Sequence, residues 1–267
     1  MLNILRSEWT KLTTTKSSWW TTGLFLVLTC GWAFIQAHFT EDNELGRMFF
    51  NPDNAVIVLR MLGLPILAIQ SIMMVTTEYR YRLQSQTYLA NPRRWQVALM
   101  KLALGAALAA ALTFIGIVLA YGIMKVFGPE GLTSEFHPFD DAHGKRYLWI
   151  YPLAAVLIAL FAQGLSLLLR QTAGAVALTL IFYLGIDGFA TAIPKIGDKI
   201  VNFLPFTAFN NWIGEQVPVS APWDSVAANG WVFVAWAAVL WILGWVRLQS
   251  REASPPPPAG HGYAFPR

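Results

Sequence analysis

Long apolar runs separated by short polar gaps set the pattern of this chain. Six stretches reach the roughly 20 residues that a bilayer-crossing helix needs: 18–38, 55–77, 97–127, 147–169, 173–193 and 227–247. The second is interrupted by Arg60, Pro65 and Gln70, so it must tolerate a kink and two polar groups. Only Arg170, Gln171 and Thr172 part the fourth from the fifth, which predicts a tight turn. Ahead of the first run, Leu2, Leu5, Trp9 and Leu12 recur at three- and four-residue steps. Arg6, Glu8, Lys11 and Lys16 fall mostly elsewhere on the wheel, the pattern of an amphipathic helix lying on a membrane surface. The apolar run from Ser18 to Ala37 is too long for a cleaved leader and lacks a small-residue cleavage site. The expectation is an all-α polytopic membrane protein. Residues 1–17 form an interfacial helix, 18–249 a six-span domain, and 250–267 a tail whose SPPPP run cannot pack.

Composition agrees. Hydrophobic residues make up 55% of the chain and charged ones 13%, where a soluble domain carries about a quarter. With the N-terminus inside, the cytoplasmic segments hold twelve of the nineteen Lys and Arg but only Glu8, Glu78 and Glu252 among the acids. That asymmetry is the positive-inside pattern, and with an even number of spans it puts both termini in the cytoplasm. The net charge of +4 then reflects basic loops and not a nucleic-acid partner. A single cysteine, Cys30, excludes an internal disulfide.

The remaining charge concentrates between the second and third runs, EYRYRLQSQTYLANPRR from Glu78 to Arg94. So charged a connection is expected to be held out to another subunit. Arg60 and Asp187 lie about 8–9 Å inside their runs by helical rise, deep enough to pair with each other or to face water. HPFDDAH, from His137 to His143, reads as a solvated acidic loop, since a metal site needs three or four fixed ligands. The stretch from Pro194 to Asp224, dense in aromatics and prolines, suits a re-entrant or interfacial cap. Span three is rich in small residues from Gly105 to Gly116, which favours close helix packing. No histidine lies mid-span, and neither HExxH nor GxSxG occurs, which argues against an intramembrane protease. No G-x-x-x-x-G-K-[ST] loop occurs either, so the chain has no visible means of binding ATP.

Two segments carry a family resemblance. SEWTKLTTTKSSWW (Ser7 to Trp20) resembles the interfacial helix that leads into the first span of bacterial ABC-2 type exporter permeases, and TTEYRYRLQSQTYLANPRRWQVALMKL (Thr76 to Leu102) resembles their loop between spans two and three. The resemblance implies the membrane subunit of an ATP-driven exporter in the bacterial plasma membrane. Two copies, or this chain with a second permease, would line the pathway, and a separate nucleotide-binding subunit would hold ATP and Mg. Contact with that ATPase would fall on a coupling helix and its flanks: Glu78, Arg80, Arg82, Tyr88, Pro92, Arg93 and Arg94. The interfacial helix, with Arg6, Glu8, Trp9 and Lys11, would touch it too. The cargo would be a hydrophobic or amphiphilic compound such as a drug, peptide or lipid. An ion-coupled carrier using Asp187, or a non-transporting anchor or sensor, are the alternatives.

Overall fold

The apolar runs become helices, most of which begin a few residues before the hydrophobic stretch does. A computed structural model describes residues 2–81 and 94–250. Among them the regular structure is entirely helical. The α-helices are α1 (Leu2–Thr14), α2 (Lys16–Phe39), α3 (Glu44–Phe49), α4 (Pro52–Arg80), α5 (Arg94–Phe127), α6 (Glu130–Glu135), α7 (Ala142–Leu169), α8 (Thr172–Tyr183), α9 (Gly197–Ile200), α10 (Pro205–Ile213) and α11 (Val226–Ser250). Five of them, α2, α4, α5, α7 and α11, are long and apolar enough to cross a membrane. Helix α8 and the 3₁₀ turn Ile186–Ala192 qualify only together, as a pair bent by 55°. The expected span 173–193 is therefore broken. Gly185, at φ 96°, supplies the left-handed residue at the break.

Helices α4 and α7 are the centre of the bundle, with 61% of each apolar window buried, against 22% in α2 and α11 and 33% in α5. Pro65 has no N–H, and its ring crowds the preceding turn. Helix α4 absorbs this in a π turn at Leu59–Gly63, where the Leu64 N–H reaches back to the Leu59 carbonyl. The kink expected of the second span takes this form. Phe25, fully buried, wedges between that turn and α5. A β-carbon on Gly63 would lie 2.9 Å from its ring and one on Gly116 3.1 Å from it, so three spans interlock on one aromatic.

Helices α7 and α11 cross at their glycines. A β-carbon on Gly164 would sit 2.6 Å from the Trp241 backbone nitrogen, and one on Gly244 2.8 Å from the Gly164 carbonyl oxygen. Bare backbone at both positions is what permits the approach. The two-residue turn after α7 places Arg170 in the left-handed region, with φ 55°. Its guanidinium donates to the Arg247 carbonyl at 3.0 Å and lies 5.4 Å from the centre of the Tyr79 ring. The ends of α4, α7 and α11 thus meet at one end of the bundle, where α1 also docks.

At the opposite end, Pro194 to Asp224 folds into short helices and 3₁₀ turns that cap the bundle. Phe206 and Phe209 of α10 pack on Phe233 of α11, with ring centroids 5.4 and 4.6 Å away. HPFDDAH is a largely exposed turn that leads into α7, where the Asp141 carboxylate accepts the Gly144 N–H at 2.8 Å and caps the helix.

Candidate functional site

Four charges close into a ring where α1, α4 and α5 meet. Lys101 Nζ lies 2.5 Å from Glu8 Oε2 and 2.9 Å from Glu78 Oε1. Lys11 Nζ lies 2.7 Å from Glu8 Oε1 and 2.6 Å from Glu78 Oε1. Glu8, Glu78 and Lys101 are buried, with side-chain exposures of 5%, 8% and 7%, whereas Lys11 keeps 39%. Each residue reaches the ring for a local reason. Glu8 and Lys11 stand three apart and so share a face of α1. Glu78 is in the last turn of α4, and Lys101 is two turns into α5. A one-residue break at Thr15 folds α1 back against the bundle, and Trp19 Nε1 donates to the Thr13 carbonyl at 2.8 Å to hold the corner.

Burying ions is costly unless each meets an opposite charge in good geometry. Here two carboxylates face two ammoniums, and the cluster is neutral. Partial burial pulls the Lys11 ammonium down, but its hydrogen bonds to Glu78 and Glu8 outweigh that and hold its pKa above the ordinary lysine value. The Lys101 backbone is braced from behind, where the buried Gln163 of α7 donates to its carbonyl at 3.2 Å. Gly105 makes room for that amide, since a β-carbon there would fall 2.7 Å from Gln163 Nε2.

Of the residues singled out in the sequence, Glu8, Lys11 and Glu78 come together here. Glu78 pairs with Lys11 and Lys101, not with Arg80, whose guanidinium lies 5.8 Å from the Tyr81 ring centre. Glu8, assigned to the polar face, is among the most buried residues of α1, whereas Trp9, assigned to the apolar stripe, is 54% exposed. Arg6 is exposed. Arg94 opens α5. Arg82, Tyr88, Pro92 and Arg93 lie outside the described residues. Lys101 was visible only as a basic residue near the start of span three. Its partner Glu8 is 93 positions away, and the only local hint was the Glu8–Lys11 spacing.

Arg60 and Asp187 do not pair with each other. Both act on α10, with the signs its dipole favours. Asp187 Oδ2 accepts the N–H groups of Phe206 and Thr207 at 2.8 and 3.1 Å, capping a helix whose own N-cap residue, Leu204, offers no acceptor. Arg60 donates to Asn210 at 3.3 Å, and Arg146 donates to the Trp212 and Ile213 carbonyls at 3.0 Å each. Asp187→Ala should therefore cost about 1–2 kcal/mol of stability, read as a lower thermal midpoint in detergent. Asp187→Asn should lose less, because the amide oxygen still accepts. Equal losses from both would contradict the capping role.

No protein-family model matches the chain, and no curated protein matches it.

Proposed function

We propose that this chain is the membrane subunit of an ATP-driven exporter of the ABC-2 type, paired as a dimer and driven by a separate nucleotide-binding subunit. The observation that carries the reading is the four-charge ring. It fixes α1 to Glu78 and Lys101, which flank the basic segment 82–93, so a displacement of that segment would move α1, α4 and α5 as one body. ATP-driven closure of a motor dimer acts through rigid-body shifts of this kind.

The sequence supports a motor on another chain, since no phosphate-binding loop occurs in it. On this reading the α1 end is cytoplasmic, in keeping with its excess of Lys and Arg, and the protein sits in the bacterial plasma membrane. Six crossings fit the topology. Thr172 hydrogen-bonds Thr76 near the α1 end at 2.8 Å, and α11 returns to that end at Arg247, which supports reading the bent helix pair as the intervening passage. The alternative, an ion-coupled carrier using Asp187, would have to protonate a carboxylate whose Oδ2 caps α10. The cargo is a hydrophobic or amphiphilic compound.

The reading is tested with Glu78→Gln in the complex isolated through a tagged chain. The variant should reach the membrane at the normal level and show several-fold less ATP hydrolysis per complex. Wild-type turnover would remove Glu78 from the coupling path.

A further inference from the structure

Arg60 is the charge that this fold leaves least satisfied. A guanidinium carries five N–H donors. Among the described residues this one makes a single hydrogen bond, at 3.3 Å to Asn210 Oδ1, and meets no carboxylate in ion-pair contact. The other charges near it are taken. Arg146 donates to the Trp212 and Ile213 carbonyls and lies 2.8 Å from Glu215 Oε1, whose second oxygen faces His143 at 3.5 Å. Asp53 accepts the Tyr147 hydroxyl, and Asp187 caps the far end of α10. Arg60 stands in the π turn of α4, and such turns recur at functional sites. It is only partly buried, so its free donors stay within reach of a ligand.

Two further groups beside it are unused. Asn210 gives Arg60 its oxygen, which leaves the amide nitrogen without an acceptor among the described residues. The Tyr151 hydroxyl lies in the field of Arg60 and Arg146, and it forms no hydrogen bond among those residues although the side chain is 3% exposed. The surroundings are apolar and open. Met61 follows Arg60 on the turn, and Leu184 follows Tyr183, whose hydroxyl donates to the Arg60 carbonyl. They are 61% and 82% exposed. A charge inside an apolar run is costly and marks a pathway or a partner, and the described chain brings no acid to this one. We infer that Arg60 binds the acidic headgroup, carboxylate or phosphate, of an amphiphile at the end of the bundle opposite α1. Asn210 and Tyr151 complete the donor set, and the apolar body lies along Met61 and Leu184. The planar guanidinium fork matches either headgroup through two parallel N–H bonds. The inference requires a membrane-embedded chain and stands whether or not the amphiphile is an exporter's cargo.

Binding of laurate to the purified protein in nonionic detergent tests it, with dodecanol as the uncharged equivalent. Laurate should raise the thermal midpoint, and dodecanol at the same mole fraction should not. Arg60→Gln should weaken laurate about tenfold, the loss of one charge-assisted hydrogen bond. Arg60→Lys, which keeps the charge without the fork, should fall between. Tyr151→Phe should also weaken laurate and leave dodecanol unchanged. Displacement of laurate by phosphatidylglycerol would identify a lipid of the leaflet as the source of the headgroup, and laurate held against phosphatidylglycerol a free amphiphile; either result agrees with the inference. Equal binding of laurate and dodecanol by the wild type overturns it. So does wild-type laurate binding in folded Arg60→Gln or, should that variant not fold, in both Arg60→Lys and Tyr151→Phe.

Discussion

Replacing Lys101 by Met should cost about 3–5 kcal/mol of stability, the range for removing one partner of a buried ion pair. The substitution leaves Glu8 and Glu78 facing each other with little access to water, and only the half-exposed Lys11 remains between them. Lys11→Met should cost about 1 kcal/mol at most, since water can replace much of what an exposed ammonium supplies. The ring makes a further demand. Adding Glu78→Gln to Lys101→Met should recover much of the loss, because the two changes share one interaction and their effects are not additive. Thermal unfolding in a fixed detergent measures all three. If Lys101→Met melted with the wild type, the charges could not be buried together as described. Stability and coupling should also separate. The double variant regains the fold but not the charged joint, so its ATP hydrolysis should stay low.

Gly164→Ala carries the second large effect. The added methyl meets the Trp241 backbone nitrogen at 2.6 Å, and backbone cannot rotate aside as a side chain can. Helices α7 and α11 must separate, at a cost of about 1–3 kcal/mol or more for overpacking. Gly122→Ala in α5 is the control, because its methyl would meet nothing within 4 Å. That variant should be neutral or slightly stabilising, since alanine favours the helix. Equal melting of the two alanine variants would mean that the crossing is looser than its geometry implies.

How much of this was legible in the sequence differs by element. Apolar length located five of the expected spans within a few residues, since burying a long apolar run needs no partner information. The three- and four-residue spacing of Leu2, Leu5, Trp9 and Leu12 indicated a helix but gave no sign that Glu8 would be buried. A wheel ranks residues by polarity, and it sends Glu8 to water unless a distant Lys101 is known to wait for it. Arg60 and Asp187 show the same limit. Helical rise placed both inside their apolar runs, but their partner, α10, is a short helix that sequence treated only as an aromatic cap. Span five was read as continuous because its run stays apolar on both sides of Asp187. The bend comes from Gly185 and from Asp187 turning to cap α10. Charged residues in apolar chains advertise that they need partners, but the fold alone decides which.

The most direct test is isolation of the tagged chain from its native membranes in mild detergent, with ATP hydrolysis and subunit composition measured on the eluate. The expected result is a stoichiometric second subunit bearing a phosphate-binding loop, with hydrolysis that follows the chain through gel filtration and falls in Glu78→Gln. A chain that elutes as a homo-oligomer without nucleotide hydrolysis, while its vesicles transport under a proton gradient alone, would contradict it.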